Sequence, residues 1–113
     1  MNHKPHKTKS GLELPLLDLR GKPYQQVAHR IAWFRDEKPD WVIQTSFVKL
    51  EELYCIAKAE IADESGKVRA VSHKREDQKH FADFMEKAET GAIGRALALL
   101  GYGTQFTGDE LDE

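Results

Sequence analysis

The residues here with chemistry to offer are lysines and arginines, and what they offer is contact with anionic oxygen. The run Lys87-Ala88-Glu89-Thr90-Gly91-Ala92-Ile93-Gly94-Arg95-Ala96-Leu97-Ala98-Leu99-Leu100-Gly101-Tyr102-Gly103-Thr104 reads as a helix of small residues with a cation at Arg95 and a glycine stop at Gly101. A second group, Lys67, Arg69, Lys74, Arg75 and Lys79, faces only Glu76 and Asp77 within its own stretch. Phosphate binding depends on a local cationic surface rather than on total charge. The total is −2, but Asp109, Glu110, Asp112 and Glu113 crowd the end of the chain, and without those four carboxylates the remainder is +2. The plainer explanation of such a run is a solvated face.

Other chemistries find little footing. His3, His6, His29, His73 and His80 show no ligand spacing beyond the N-terminal pair, so neither metal nor cofactor is expected. Asp36, Glu37 and Asp40 read as a solvated helix end rather than an acid/base pair. Cys55, the single cysteine, falls on an alternating face with Ala57 and Ala59 and reads as a buried small residue. Gly91-Ala92-Ile93-Gly94 is neither a P-loop nor a dinucleotide fingerprint, because no strand leads into it and no Gly-Lys-Ser/Thr follows. Trp33, Phe34, Trp41 and Phe47 suit base stacking, and suit core or subunit contact better. No catalytic residue is expected, and the chain does not read as an enzyme.

The elements that must position these cations are legible in outline. A length of 113 residues, with 40% apolar and 32% charged, describes one domain with a modest core. No apolar run is long enough to cross a bilayer, and no signal-peptide core follows the basic N-terminus, so a cytoplasmic, nucleoid-associated location is expected. Residues up to about Lys9 read as disordered, Leu12 to Leu19 as an extended arm broken by Pro15, and Gly21, Lys22 and Pro23 as a turn. Tyr24, Val27, Ile31 and Phe34 recur at helical spacing, which predicts a helix from Tyr24 that ends before Pro39. Trp41–Leu50, Leu53–Ala62 and Lys67–His73 alternate as strands, the last two joined by an Asp63–Gly66 hairpin. On Leu53–Ala62 the expected inner face is Leu53, Cys55, Ala57, Ala59 and Ile61. A long helix is expected from about Asp77 to Leu100, with a stripe of Phe81, Phe84, Met85, Ala88, Ala92, Ala96 and Leu99. Gly91 and Gly94 inside it predict close backbone contact with the sheet or a neighbouring subunit. The fold class is α+β: helix, three-stranded antiparallel sheet, long helix.

Ala88, Thr90, Arg95, Ala96, Leu97 and Gly101 together resemble the helix of the Rad-fifty-two-type single-strand annealing proteins, most closely their small phage-encoded members. The resemblance covers roughly residues 24–106, leaving residues 1–23 as a basic tail and arm and residues 107–113 as an acidic tail. It implies a ring-forming core that binds single-stranded DNA and anneals complementary strands without ATP in recombination and repair. It also implies a homo-oligomer, with a single-strand-binding protein or an exonuclease as possible companions. The Leu12–Leu19 arm and the apolar residues of the first helix are candidates for the subunit contact.

Candidate nucleic-acid contacts are Arg95, Lys74, Arg75, Arg69, Lys58, Lys49 and Lys87. From its surroundings alone Arg95 suits a structural ion pair with Glu89 or a sheet carboxylate; the resemblance implies a phosphate contact instead. The eukaryotic relatives carry further basic residues beside the matched arginine, where this chain has Gly94 and Ala98, so the expected contact either shifts toward the strands or is weaker per subunit. The same element order also describes the double-stranded RNA-binding domain. That module needs a basic start to its last helix, and here Lys74, Arg75 and Lys79 are interrupted by Glu76 and Asp77. A structural oligomerisation protein of a phage or mobile element is the third reading. The acidic tail reads as a solubilising segment or a site for a basic partner; the other reading is that it reaches the cationic groove and competes there with phosphate.

Overall fold

The computed structural model describes residues 3–105, 107–108 and 110–113. Phe106, the expected end of the core, and Asp109 of the acidic tail lie outside the described residues, as do Met1 and Asn2. The chain opens with two short hairpins, β1 (His6–Lys7) with β2 (Glu13–Leu14) and β3 (Leu17–Leu19) with β4 (Lys22–Tyr24). The expectation of disorder before Lys9 is corrected for the described residues: Thr8 is buried, and its backbone N–H donates to the Leu12 carbonyl at 2.9 Å. Composition pointed to a loose tail, but burial of Leu14 and local hydrogen bonds hold the segment down. The turn falls at Arg20 (φ 52°) and Gly21 (φ 87°), a two-residue loop of the left-handed kind, so Lys22 and Pro23 belong to β4.

Tyr24, expected to start the first helix, is the last residue of β4. Helix α1 (Val27–Glu37) begins after the extended Gln26 and stops two residues short of Pro39, as proline requires. Three antiparallel strands follow as a meander: β5 (Val42–Leu50), β6 (Tyr54–Ala62) and β7 (Val68–Asp77), with β6 central. The alternation in β6 is strict, and Cys55, Ala57, Ala59 and Ile61 are each 0% exposed. Leu53, expected on that face, lies before the strand and is exposed. In the β6–β7 loop the Asp63 carboxylate accepts from the Ser65 and Lys67 amides, and Gly66 takes the left-handed position (φ 87°).

Helix α2 (Phe84–Leu99) starts several residues later than expected. The reason is visible in the ladder: β7 continues to Asp77, pairing Ile56 with Arg75 and Tyr54 with Asp77, while Ser72 and Glu76 turn inward. A polar period of two was hidden in a stretch whose composition suits a helix. Phe84, Ala88, Ala92 and Ala96 form the buried stripe at four-residue spacing, joined by Leu97; Met85 and Leu99 are exposed, contrary to expectation. Small side chains on both α2 and β6 let the helix lie close to the sheet, and the Ser72 hydroxyl donates to the Ala92 carbonyl. Gly101 (φ 93°) ends the helix, and the Tyr102 amide returns to the Leu97 carbonyl at 2.9 Å. Helix α1 packs on α2 and enters the same core through Phe34, beside Tyr102 and Trp41. Glu37, read as part of a solvated end, accepts from Trp33 Nε1 at 2.8 Å and from the Tyr102 hydroxyl at 2.9 Å.

Candidate nucleic-acid interface

The cations of β7 do not form one patch. Lys74 pairs with Ala57, whose side chain is in the core, so Lys74 shares the helix-covered face. Arg75 pairs with Ile56 and lies on the open face, with Lys58 of β6 and Lys49 of β5. A single surface running from Lys67 to Lys79 is therefore corrected to two faces. On the open side the cations are largely matched by acids. Lys58 Nζ lies 2.7 Å from Glu60, and Arg75 Nε lies 3.1 Å from Asp77 with its guanidinium over the Tyr54 ring. Arg69 is held by Asp63 at 3.1 Å and lies over Trp41. The Ser65 hydroxyl and then Arg69 hold the Asp63 carboxyl down to about 2. Lys87 caps the face of Phe81 near the start of α2.

On the covered side, Lys74 and Arg95 come together. Arg95 lies one helical turn after Gly91, on the same side of α2. A Cβ on Gly91 would stand 2.8 Å from Lys74 Cγ, so the glycine is what lets the lysine stem cross the helix. Lys74, Gly91 and Arg95, with Glu110, Leu111 and Asp112, line a cleft of about 350 Å³. Arg95 is exposed and makes no ion pair among the described residues; Glu89, its expected partner, instead accepts from the Thr45 hydroxyl at 2.9 Å. Lys74 Nζ lies 3.5 Å from buried Glu76 and 3.6 Å from Asp112. Burial pushes the Glu76 carboxyl up, a shared hydrogen bond with Asp112 pushes it further, and Lys74 opposes both.

The acidic tail thus lies in the cleft, and its anchor is a residue that the sequence reading passed over. Arg30 of α1 is 0% exposed. Its Nη1 and Nη2 donate to the two oxygens of Glu110 at 3.1 and 2.7 Å, its Nη2 to the Tyr24 hydroxyl at 3.0 Å, and its Nε to the Gln25 carbonyl at 2.9 Å. Glu113 accepts the free Val27 amide at the start of α1 at 2.7 Å, and the Tyr24 hydroxyl donates to the same carboxylate. Burial, followed by the Glu113 carboxylate, pushes the Tyr24 phenol up. A Cβ on Gly94 would stand 2.8 Å from Val27 Cγ2 and 3.6 Å from Arg30 Nη1, so Gly94 admits α1 as Gly91 admits Lys74. One signal of this arrangement was present: Arg30 shares an apolar stripe with Val27 and Phe34, where a cation needs a buried partner.

A helix, a three-stranded antiparallel meander and a second helix on one face make up the fold, an order that the double-stranded RNA-binding domain shares. The family model described as Slr1353 N-terminal dsRNA-binding domain-like matches residues 31–100, more than half of the chain, and the chain belongs to that family. No curated protein and no solved structure matches the chain.

Proposed function

We propose that this domain binds nucleic acid by gripping a phosphodiester backbone in the cleft between β7 and α2, with Lys74 and Arg95 as the cations that meet phosphate. The observation that carries this reading is the convergence of those two cations on one cleft, where Arg95 is exposed and makes no ion pair among the described residues. The family's description supports nucleic acid as the ligand class. Binding of this kind needs neither a cofactor nor a bond-breaking group, and we read the protein as a binding module rather than an enzyme.

Within that class we favour a single strand, and with it the strand-annealing role that the helix resemblance implies. A cleft of about 350 Å³ with two cations in its lining suits one backbone. The surfaces that a double-stranded RNA-binding domain needs are not strongly basic here: at the start of α2, Asp83 and Glu86 offset Lys79 and Lys87, and the β5–β6 loop carries Glu51 and Glu52. A ring of subunits would lengthen the groove and leave bases free for a complementary strand. The second reading, duplex RNA, is favoured by the family's description.

Titrating labelled single-stranded DNA, duplex DNA and duplex RNA of equal length separates the two. The expected result is preference for the single strand, with log affinity falling by roughly 0.7 per log unit of salt for each phosphate engaged. Preference for duplex RNA selects the second reading. No salt-sensitive binding to any of the three overturns both and favours the structural oligomerisation protein.

A further inference from the structure

The proposed cleft accounts for Lys74 and Arg95 and leaves Arg30 unexplained. A guanidinium removed from solvent is costly unless its donors are matched, and here they are matched by carboxylates of the tail, Glu110 above all. Around it stand two further donors aimed the same way, the Tyr24 hydroxyl and the Val27 amide, and both are taken by Glu113. The two Nη atoms of the guanidinium, a phenol and a helix amide, each donating to a carboxylate oxygen, make a donor set that suits a tetrahedral oxyanion. The place is continuous with the cleft. Glu110 lines the cleft and also holds Arg30, and Gly94 brings Arg30 against α2.

We infer that Arg30, the Tyr24 hydroxyl and the Val27 amide form a second phosphate station on the backbone track, which Glu110 and Glu113 fill in this structure and vacate when nucleic acid enters. The inference rests on the nucleic-acid reading for its ligand and extends it from two cations to three. In this view the tail does more than lower the local potential. Its carboxylates stand where phosphates will stand, and Asp112 on Lys74 does the same at the first station.

The test uses the full chain carrying Glu110→Gln and Glu113→Gln, titrated with a labelled single strand over a range of salt. We expect affinity at low salt to rise by about three- to ten-fold, and the salt dependence to steepen, because phosphate then meets the station without displacing carboxylates whose competition is strongest at low salt. Adding Arg30→Gln should remove both gains. An unchanged affinity in the double variant, or gains that survive Arg30→Gln, overturns the inference while leaving Lys74 and Arg95 as the binding site. A readout free of nucleic acid keeps the two readings apart: titration of the double variant with inorganic phosphate, followed by amide NMR. Val27 should shift in the variant and stay still in the parent; a Val27 that does not respond in the variant overturns the station whatever the oligonucleotides do. Should the double variant not fold, Glu113→Gln alone frees the amide and the phenol while Glu110 stays on Arg30, and the same Val27 shift decides.

Discussion

Arg95 and Lys74 differ in how far the fold depends on them. Arg95 projects from α2 without an ion pair among the described residues, so Arg95→Ala should weaken single-strand binding and flatten its salt dependence by about 0.7 while the melting temperature stays within a degree or two. Loss of folding or a change of assembly in that variant would make the residue structural. Lys74 has a second duty, because buried Glu76 lies 3.5 Å from it. Lys74→Ala should therefore lower binding and stability together, which parallel titration and melting would show. Asp63 gives a pH signature. Its carboxyl falls from 3.8 to about 2 in the folded chain, so its contribution is present above 3.8 and is lost as pH falls through about 2. Asp63→Asn should flatten the acid limb of stability between about pH 4 and 2 in urea melts; an unchanged limb would mean the β6–β7 loop gains nothing from the charge.

At the scale of elements, the two glycines of α2 make opposite predictions from the same substitution. Alanine is worth about 1 kcal/mol over glycine inside a helix. At Gly94 a Cβ would meet Val27 Cγ2 at 2.8 Å, and Val27 is β-branched and buried. Overpacking of about 1–3 kcal/mol should outweigh the helix gain, and Gly94→Ala should melt lower. At Gly91 the neighbour is the flexible stem of Lys74, which can swing aside, so Gly91→Ala should hold its melting temperature and lose affinity instead. The same two positions show what the sequence made legible. Glycines within a helix announced close contact, the alternation in β6 announced a buried face, and Gly101 announced the helix end. The late start of α2 was hidden because Ser72, Lys74 and Glu76 are polar yet turn inward, so hydropathy gave no period-two signal where the ladder continued. The N-terminal hairpins were hidden for a related reason: strands of two or three residues carry too few side chains for any period. The pairing of Arg30 with the tail joins positions 80 residues apart, and no local pattern encodes it.

For the molecule as a whole, the tail is both a competitor and a buttress. Truncation after Gly108 should raise affinity at low salt and change it little at high salt, where screening reaches only about 3 Å at 1 M. The same truncation strips the carboxylates from Arg30 and should lower stability by about 2 kcal/mol, less than for a fully enclosed pair because Glu110 is partly in solvent. Titration at two salt concentrations and a melt of each protein check both; equal affinities at low salt would remove the competition. The overall extents, 42 × 40 × 18 Å, describe a slab, and a slab has one layer beyond the reach of water. The only thiol of the chain lies in that layer, on the central strand, with burial pushing Cys55 up and its Sγ against the Phe84 carbonyl. A thiol reagent can reach it only when β6 and α2 part. Its labelling rate is thus a clock for opening of the core, readable without any substitution in the chain, and a bound oligonucleotide that bridges β7 and α2 should slow it.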